Sequence, residues 1–313
     1  MVGFIDAIKN IKKGKVSKEE ILKLYKTGTK LISQREYLEA ISIFDEVLSN
    51  NKEHWQAYNS KGSALMRLGK FEEARKNFDL AAKIAPQETS IWVNKGMSFS
   101  LVNLYEDAEI NFDLALQINP KSIEALNGKA IVLQKTHKYK EALDFLEKIL
   151  EIDPKRLDAL MSIGVTLQKL KLFDKALKYF NLVIQIDPSN LSAINAKGVT
   201  YNLMGEPKKA ISTFKEMFKL NENSTSAQIS IAYVYQTQEQ YEKALEIYER
   251  ASEDNKNEYN QKIWDGMASC LTKLGKLEKA LKLYREIMAR ESGKRKYAAE
   301  RSARFVEKLK IKV

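Results

Sequence analysis

Apolar residues along this chain recur at spacings of three and four, as in Leu160, Ile163, Leu167 and Leu170, with Gly164 among them. That spacing places them on one side of a helix, and the alternation of a half-buried strand is absent throughout. A longer period lies over the short one. Alanine returns every 34 residues, at Ala40, Ala74, Ala108, Ala142, Ala176, Ala210 and Ala244, and Ala280 follows 36 residues after the last. Three residues before each stands a ring, a proline or a leucine: Tyr37, Phe71, Tyr105, Tyr139, Phe173, Pro207, Tyr241 and Leu277. Four residues after each stands a large apolar group: Phe44, Phe78, Phe112, Leu146, Phe180, Phe214, Tyr248 and Tyr284. A fixed period of this length predicts an array of small units, none able to bury its apolar face alone.

Counted from Ile21, the repeats begin again at Trp55, Thr89, Ile123, Leu157, Leu191, Thr225 and Gln261. Their eighth residues are small: Gly28, Gly62, Gly96, Ala130, Gly164, Gly198, Ala232 and Ala268. Small side chains allow two helices to cross at close range. The eleventh residues, from Leu31 and Leu65 to Tyr235 and Leu271, fill the space beside that crossing. A break near the fifteenth residue (Gly69-Lys70, Gly205-Glu206, Gly275-Lys276) splits each repeat into two helices. Pro86, Pro120, Pro154 and Pro188 then stop the second helix, since proline has no amide to donate.

These places together resemble the tetratricopeptide repeat, most closely in Trp92-Val-Asn94-Lys-Gly96, Tyr105-Glu-Asp-Ala108, Tyr139-Lys-Glu-Ala142 and Ile152-Asp-Pro154. The resemblance covers roughly residues 21–292. It implies an all-α fold: an α-α superhelix, or solenoid, of eight helix-turn-helix repeats whose first helices line a concave groove. The repeats are 21–54, 55–88, 89–122, 123–156, 157–190, 191–224, 225–258 and 261–292, between an N-terminal segment, 1–16, and a basic capping helix, 293–313. Repeats one, six, seven and eight lack the proline, with Lys52, Glu222, Lys256 and Ser292 in its place, and Glu258-Tyr259-Asn260 carries an insertion. One continuous array is expected, with its most yielding junctions near 220–226 and 252–262. Lys61, Lys95, Lys129 and Lys197 stand at the seventh place, usually apolar in the family; their stems are expected to pack with the ammonium groups in water.

Composition narrows the class. With 44% hydrophobic and 30% charged residues the chain reads as globular and soluble. No apolar run approaches the roughly 18–20 residues of a membrane span. The N-terminus lacks the long apolar core of a signal peptide; Phe4, Ile5, Ile8 and Ile11 form a helical stripe that suits a cap or weak adhesion to a membrane surface. Ser17-Lys-Glu-Glu20 reads as a capping box. A single cysteine, Cys270, suits a reducing compartment and a packed small site, so a cytoplasmic protein is expected. The net charge is +11, and residues 293–313 hold eight Lys or Arg against Glu300 and Glu307. A stripe of Ala298, Ser302, Phe305 and Leu309, with Tyr297 and Val306 beside it, is expected to seal the last repeat; the basic face could also meet nucleic acid.

Catalytic chemistry is nearly absent. The two histidines, His54 and His137, fall in predicted turns, which excludes a His-based triad or zinc site. Gly14-Lys15 lacks the upstream glycine of a phosphate loop. No enzyme, metal or cofactor is expected. By the resemblance, the fifth, ninth, twelfth and thirteenth residues of each repeat face the groove. The candidates are Asn59, Met97, Asn127, Ile131, Lys135, Met161, Val165, Lys169, Asn195, Val199 and Tyr233, with Asn94 at a sixth place; Val93 and Ile229 share the fifth. An asparagine amide both donates to and accepts from an extended backbone. These residues can equally pack between first helices, and both readings stay open here. The chaperone-binding members of the family grip a C-terminal carboxylate with lysine at the fifth place and asparagine at the ninth. Neither occurs here, so no chaperone-type carboxylate clamp is expected. The resulting expectation is a scaffold that binds an extended or helical segment of a partner protein; the alternative is a nucleic-acid-binding solenoid using the basic C-terminus.

Overall fold

The computed structural model describes residues 16–221, 224–254, 260–290 and 293–311. The N-terminal stripe, 222–223 and 255–259 of the two late junctions, and Tyr297, Ala298 and Leu309 as side chains lie outside what it describes. The described residues form seventeen helices and no strand. In the first four repeats these are α1 (Lys18–Ser33) and α2 (Tyr37–Asn50), α3 (Trp55–Arg67) and α4 (Phe71–Ile84), α5 (Thr89–Ser100) and α6 (Tyr105–Ile118), and α7 (Ile123–Lys135) and α8 (Tyr139–Ile152). Then come α9 (Leu157–Lys169) and α10 (Phe173–Ile186), α11 (Leu191–Leu203) and α12 (Pro207–Leu220), α13 (Thr225–Thr237) and α14 (Tyr241–Asp254), and α15 (Gln261–Lys273) and α16 (Leu277–Arg290). A last helix, α17 (Gly293–Ile311), follows unpaired.

The described residues form two compact bodies, one before and one after the boundary between Ala159 and Leu160. Within each, a helix packs on its neighbours along the chain, and first helices also touch the next first helix, as α1 does α3 and α13 does α15. The cause of each helix end is local. Ser17 and Glu20 form the capping box of α1. Ser122, Asn190 and Ser224 cap α7, α11 and α13 through their side chains, each taking an amide three residues on. The second helices stop two residues before Pro86, Pro120, Pro154 and Pro188. Repeat one lacks that proline, yet α2 ends at the same place, because the Asn51 Oδ1 accepts the Glu53 amide at 3.0 Å and turns the chain.

The turn between the two helices of a repeat is equally regular. Its fifteenth residue is left-handed in all eight repeats: Gly69, Gly205 and Gly275 in three, and Arg35, Asn103, His137, Lys171 and Glu239 in the others, at φ of 60 to 65°. The next amide then closes on the eleventh residue's carbonyl, as from Lys70 to Leu65 at 2.9 Å.

Core packing explains the long period. All eight period alanines are fully buried. The ring four residues later lies over the glycine at the eighth place: a Cβ added to Gly164 would sit 2.4 Å from the Phe180 ring, and one on Gly198 2.4 Å from Phe214. Where the eighth residue is Ala130, the large residue four places after the period alanine is Leu146 and not a ring, and both are fully buried. Two rings also press on the sixth residue of the following repeat, Phe112 on Gly128 and Tyr248 on Gly266.

Two expectations are corrected by the structure. The ammonium groups of Lys61, Lys95 and Lys129 are not loose in water. They pair with Asp45, Asp79 and Asp113 on the second helix of the preceding repeat, Lys95 at 2.7 Å, with the lysine side chains 14–20% exposed. A neighbouring carboxylate at each site holds the charge against the helix; sixteen residues before Lys197 stands Asn181 instead, and Lys197 makes no ion pair with the described residues. The C-terminal helix is turned about its axis from the expected stripe. It buries Ala299, Ala303 and Val306 against Ala268, Ile287, Ala280 and Leu281. Ser302 is only half-buried and Phe305 is 58% exposed. Alanines permit a closer approach of α17 than a phenylalanine would.

Candidate functional site

The first helices present their ninth residues outward. Met97, Ile131, Val165 and Tyr233 are exposed, and Val199 is half-buried. Lys135 and Lys169, at the thirteenth place, are exposed one turn further on. The fifth residues sit deeper: Asn59, Asn127, Met161 and Asn195 are half-buried. Val93, expected to share that face, is buried among Phe112, Ala125 and Val132 instead, because an apolar side chain at the fifth place can turn into the core.

Polar groups at the fifth and sixth places bond across repeats. Tyr25 shares a hydrogen bond with Ser60 at 3.3 Å, Asn94 donates to the Asn59 Oδ1 at 3.0 Å, and Ser230 donates to the Asn195 Oδ1 at 2.9 Å. Further along, Gln168 donates to Thr200 at 3.0 Å and Gln236 to Ser269 at 2.9 Å. This ladder fixes one repeat against the next, and it engages Asn59, Asn94 and Asn195. The Asn127 amide, by contrast, makes no hydrogen bond with the described residues.

Within residues 160–313 the inner face opens into a cleft of about 440 Å³. Val199, Ile229 and the 53% exposed Tyr233 give it an apolar floor, and Asn195, Asn202 and Gln236 give it amides. Lys262 and Asp265 border it. Tyr248 lies beneath, donating to the Gln236 Oε1 at 3.3 Å, and burial raises its hydroxyl pKa well above the ordinary range. Such a site offers shape, an exposed ring and amides to a backbone, with little net charge. The sequence signal for Val199, Asn195 and Tyr233 was their place in the repeat. Asn202, Ser230 and Gln236 were missed, although they too stand at twelfth and sixth places.

The remaining reactive side chains are engaged elsewhere. Cys270 is fully buried, and burial pushes its thiol pKa up to about 11, far from the thiolate that reacts. His54 caps α3, its Nδ1 accepting the Ala57 amide at 3.2 Å, and burial lowers its pKa. His137 bonds Tyr139 at 2.8 Å in a turn. Among the described residues no three His, Cys, Asp or Glu are grouped to hold a metal, and no helix is long and apolar enough to cross a membrane.

Stacked helical hairpins with a period of 34 residues and an open polar face define a helical-repeat protein. A family description reading "Tetratricopeptide repeat" matches residues 25–89, one reading "Anaphase-promoting complex, cyclosome, subunit 3" matches 102–183 and 172–251, and one reading "PPR repeat" matches 262–291. The chain is a tetratricopeptide-repeat protein with an all-α solenoid fold. The crystal structure of a tetratricopeptide repeat protein from Parabacteroides merdae is 18% identical, with a TM-score of 0.62 over 80% of this chain and 98% of that one. The C-terminal part of a TPR repeat-containing protein from Cytophaga hutchinsonii is 15% identical, with a TM-score of 0.59 over 78% and 99%. MamA from Desulfovibrio magneticus RS-1 is 21% identical, with a TM-score of 0.50 over 54% and 96%. At these identities the likeness is one of fold. No curated protein matches the chain in sequence.

Proposed function

We propose that the protein is a non-enzymatic, cytoplasmic interaction scaffold, and that it binds an extended segment of a partner protein on the inner face of its first helices. The observation that carries this reading is the cleft of about 440 Å³ around Tyr233. A half-exposed tyrosine over Val199 and Ile229 would take an apolar side chain, while Asn202 and Gln236 would meet the adjoining backbone. Val165 and Lys169 are exposed at the matching places of the same body. Within the body that ends at Ala159, taken by itself, Met97, Ile131 and Lys135 are exposed and the unbonded Asn127 offers an amide. Nucleic acid fits this face poorly, because neutral amides and Asp265 line it beside a single cation, Lys262, where phosphates would require several.

Photo-crosslinking from position 233, followed by identification of the captured protein and its linked peptide, tests the reading. A single peptide whose capture is lost on Val199→Asp is the expected result. Crosslinking to nucleic acid, or to nothing, would overturn it.

A further inference from the structure

A second surface lies at the C-terminal end, apart from the cleft around Tyr233. Helix α17 buries Ala299 and Ala303 against repeat eight and leaves Arg301, Phe305 and Lys308 exposed on one helical stripe, with Arg304 beside it. Arg301, Arg304, Lys308 and Lys273 are exposed and make no ion pair with the described residues; Glu307 is drawn off by Arg285 at 3.6 Å. Between α17, α15 and α16 is a recess of about 330 Å³. Its apolar walls are Phe305, Val306 and Tyr284, and its charged rim is Lys273 and Arg301, with no carboxylate among the described residues that line it. Arg301 and Phe305 also border a smaller recess of about 270 Å³ on the other flank of α17, where Glu300 lies with Arg304 and Lys308.

An exposed phenylalanine beside an apolar recess is a costly surface to leave in water, and the guanidinium of Arg301 and the ammonium of Lys273 at its rim, neither in an ion pair with the described residues, select what can cover it. We propose that this recess docks an acidic protein segment carrying a large apolar side chain. The apolar group sits between Phe305 and Tyr284, and flanking carboxylates meet Arg301 and Lys273. Arginine forks match carboxylates in pairs, and the recess has the depth for a side chain. Single-stranded nucleic acid calls for successive exposed rings along a basic track, and among the described residues that line this recess Phe305 is the one exposed ring.

The probe is a fluorescein-labelled twelve-residue peptide of Glu and Asp with one central Phe, titrated into the full chain by fluorescence anisotropy. A labelled oligothymidylate of equal length and the same peptide with Ala for Phe are run beside it. Saturable binding of the Phe peptide is expected, weakened about tenfold by Phe305→Ala and by Arg301→Glu, and weakened likewise when its Phe is Ala. Arg301→Lys should recover only part of the affinity, and circular dichroism should show all variants folded. Tyr233→Ala, in the other cleft, should leave this binding unchanged. The proposal fails if the peptide does not bind, if Phe305→Ala is without effect, if the oligothymidylate binds more tightly, or if Tyr233→Ala abolishes binding.

Discussion

A single methyl group decides much at the residue scale. The rings of Phe180 and Phe214 occupy the space a Cβ would need at Gly164 and Gly198. Gly198→Ala should therefore destabilise the protein by about 1–3 kcal/mol despite the better helix propensity of alanine. The double variant Gly198→Ala with Phe214→Leu, which copies the Ala130–Leu146 pairing, should recover part of that loss in a thermal melt. The left-handed turn residues give the opposite sign. Lys171 and Glu239 hold φ of 61 and 60° without being glycine, so Lys171→Gly should raise stability by about 0.5–1 kcal/mol. His54 adds a dependence on pH. Its folded pKa is depressed below the ordinary 6.5 by burial, so its contribution is fully present above about pH 6.5 and is lost as the pH falls through the folded value. Melting temperature measured from pH 7 to 5 should fall less steeply in His54→Asn, which keeps the cap without titrating; parallel slopes would contradict this.

At the scale of the helix, position in the frame was legible wherever one side chain had one job. An aromatic ring at the seventeenth place starts six of the eight second helices, Pro207 and Leu277 the other two, and the proline at the thirty-second marks where several of them stop. Two kinds of feature were not legible. The aspartates that pair with Lys61, Lys95 and Lys129 lie sixteen residues earlier, on a different helix, and only the packing of neighbouring repeats brings them together. The rotation of α17 was missed because two apolar stripes run along it, and hydrophobicity favours the one with Phe305. Close packing chose the smaller residues, Ala299 and Ala303. Val93 departs for the same reason: its place in the frame pointed to the open face, and its side chain found the core.

In the whole molecule, each repeat is held mainly by its neighbours. Unfolding should accordingly be distributed along the array, with calorimetric and van't Hoff enthalpies that disagree. Coincident transitions by calorimetry, far-ultraviolet dichroism and tryptophan fluorescence would count against that. The candidate site was legible as a face and not as a place. Repeat position named the residues that look outward, among them Asn195, Val199 and Tyr233. Which of them border a cleft depends on the cross-repeat bonds of Asn195, Ser230 and Gln236, and a single repeat does not encode those. The central claim is that the Tyr233 face binds a protein segment. The most direct test is the affinity of the crosslinked peptide, once identified, for wild type and for Tyr233→Ala, with the thermal melt of each. The account predicts a loss of about tenfold or more in affinity with an unchanged melt. Equal affinity in the two proteins would contradict it.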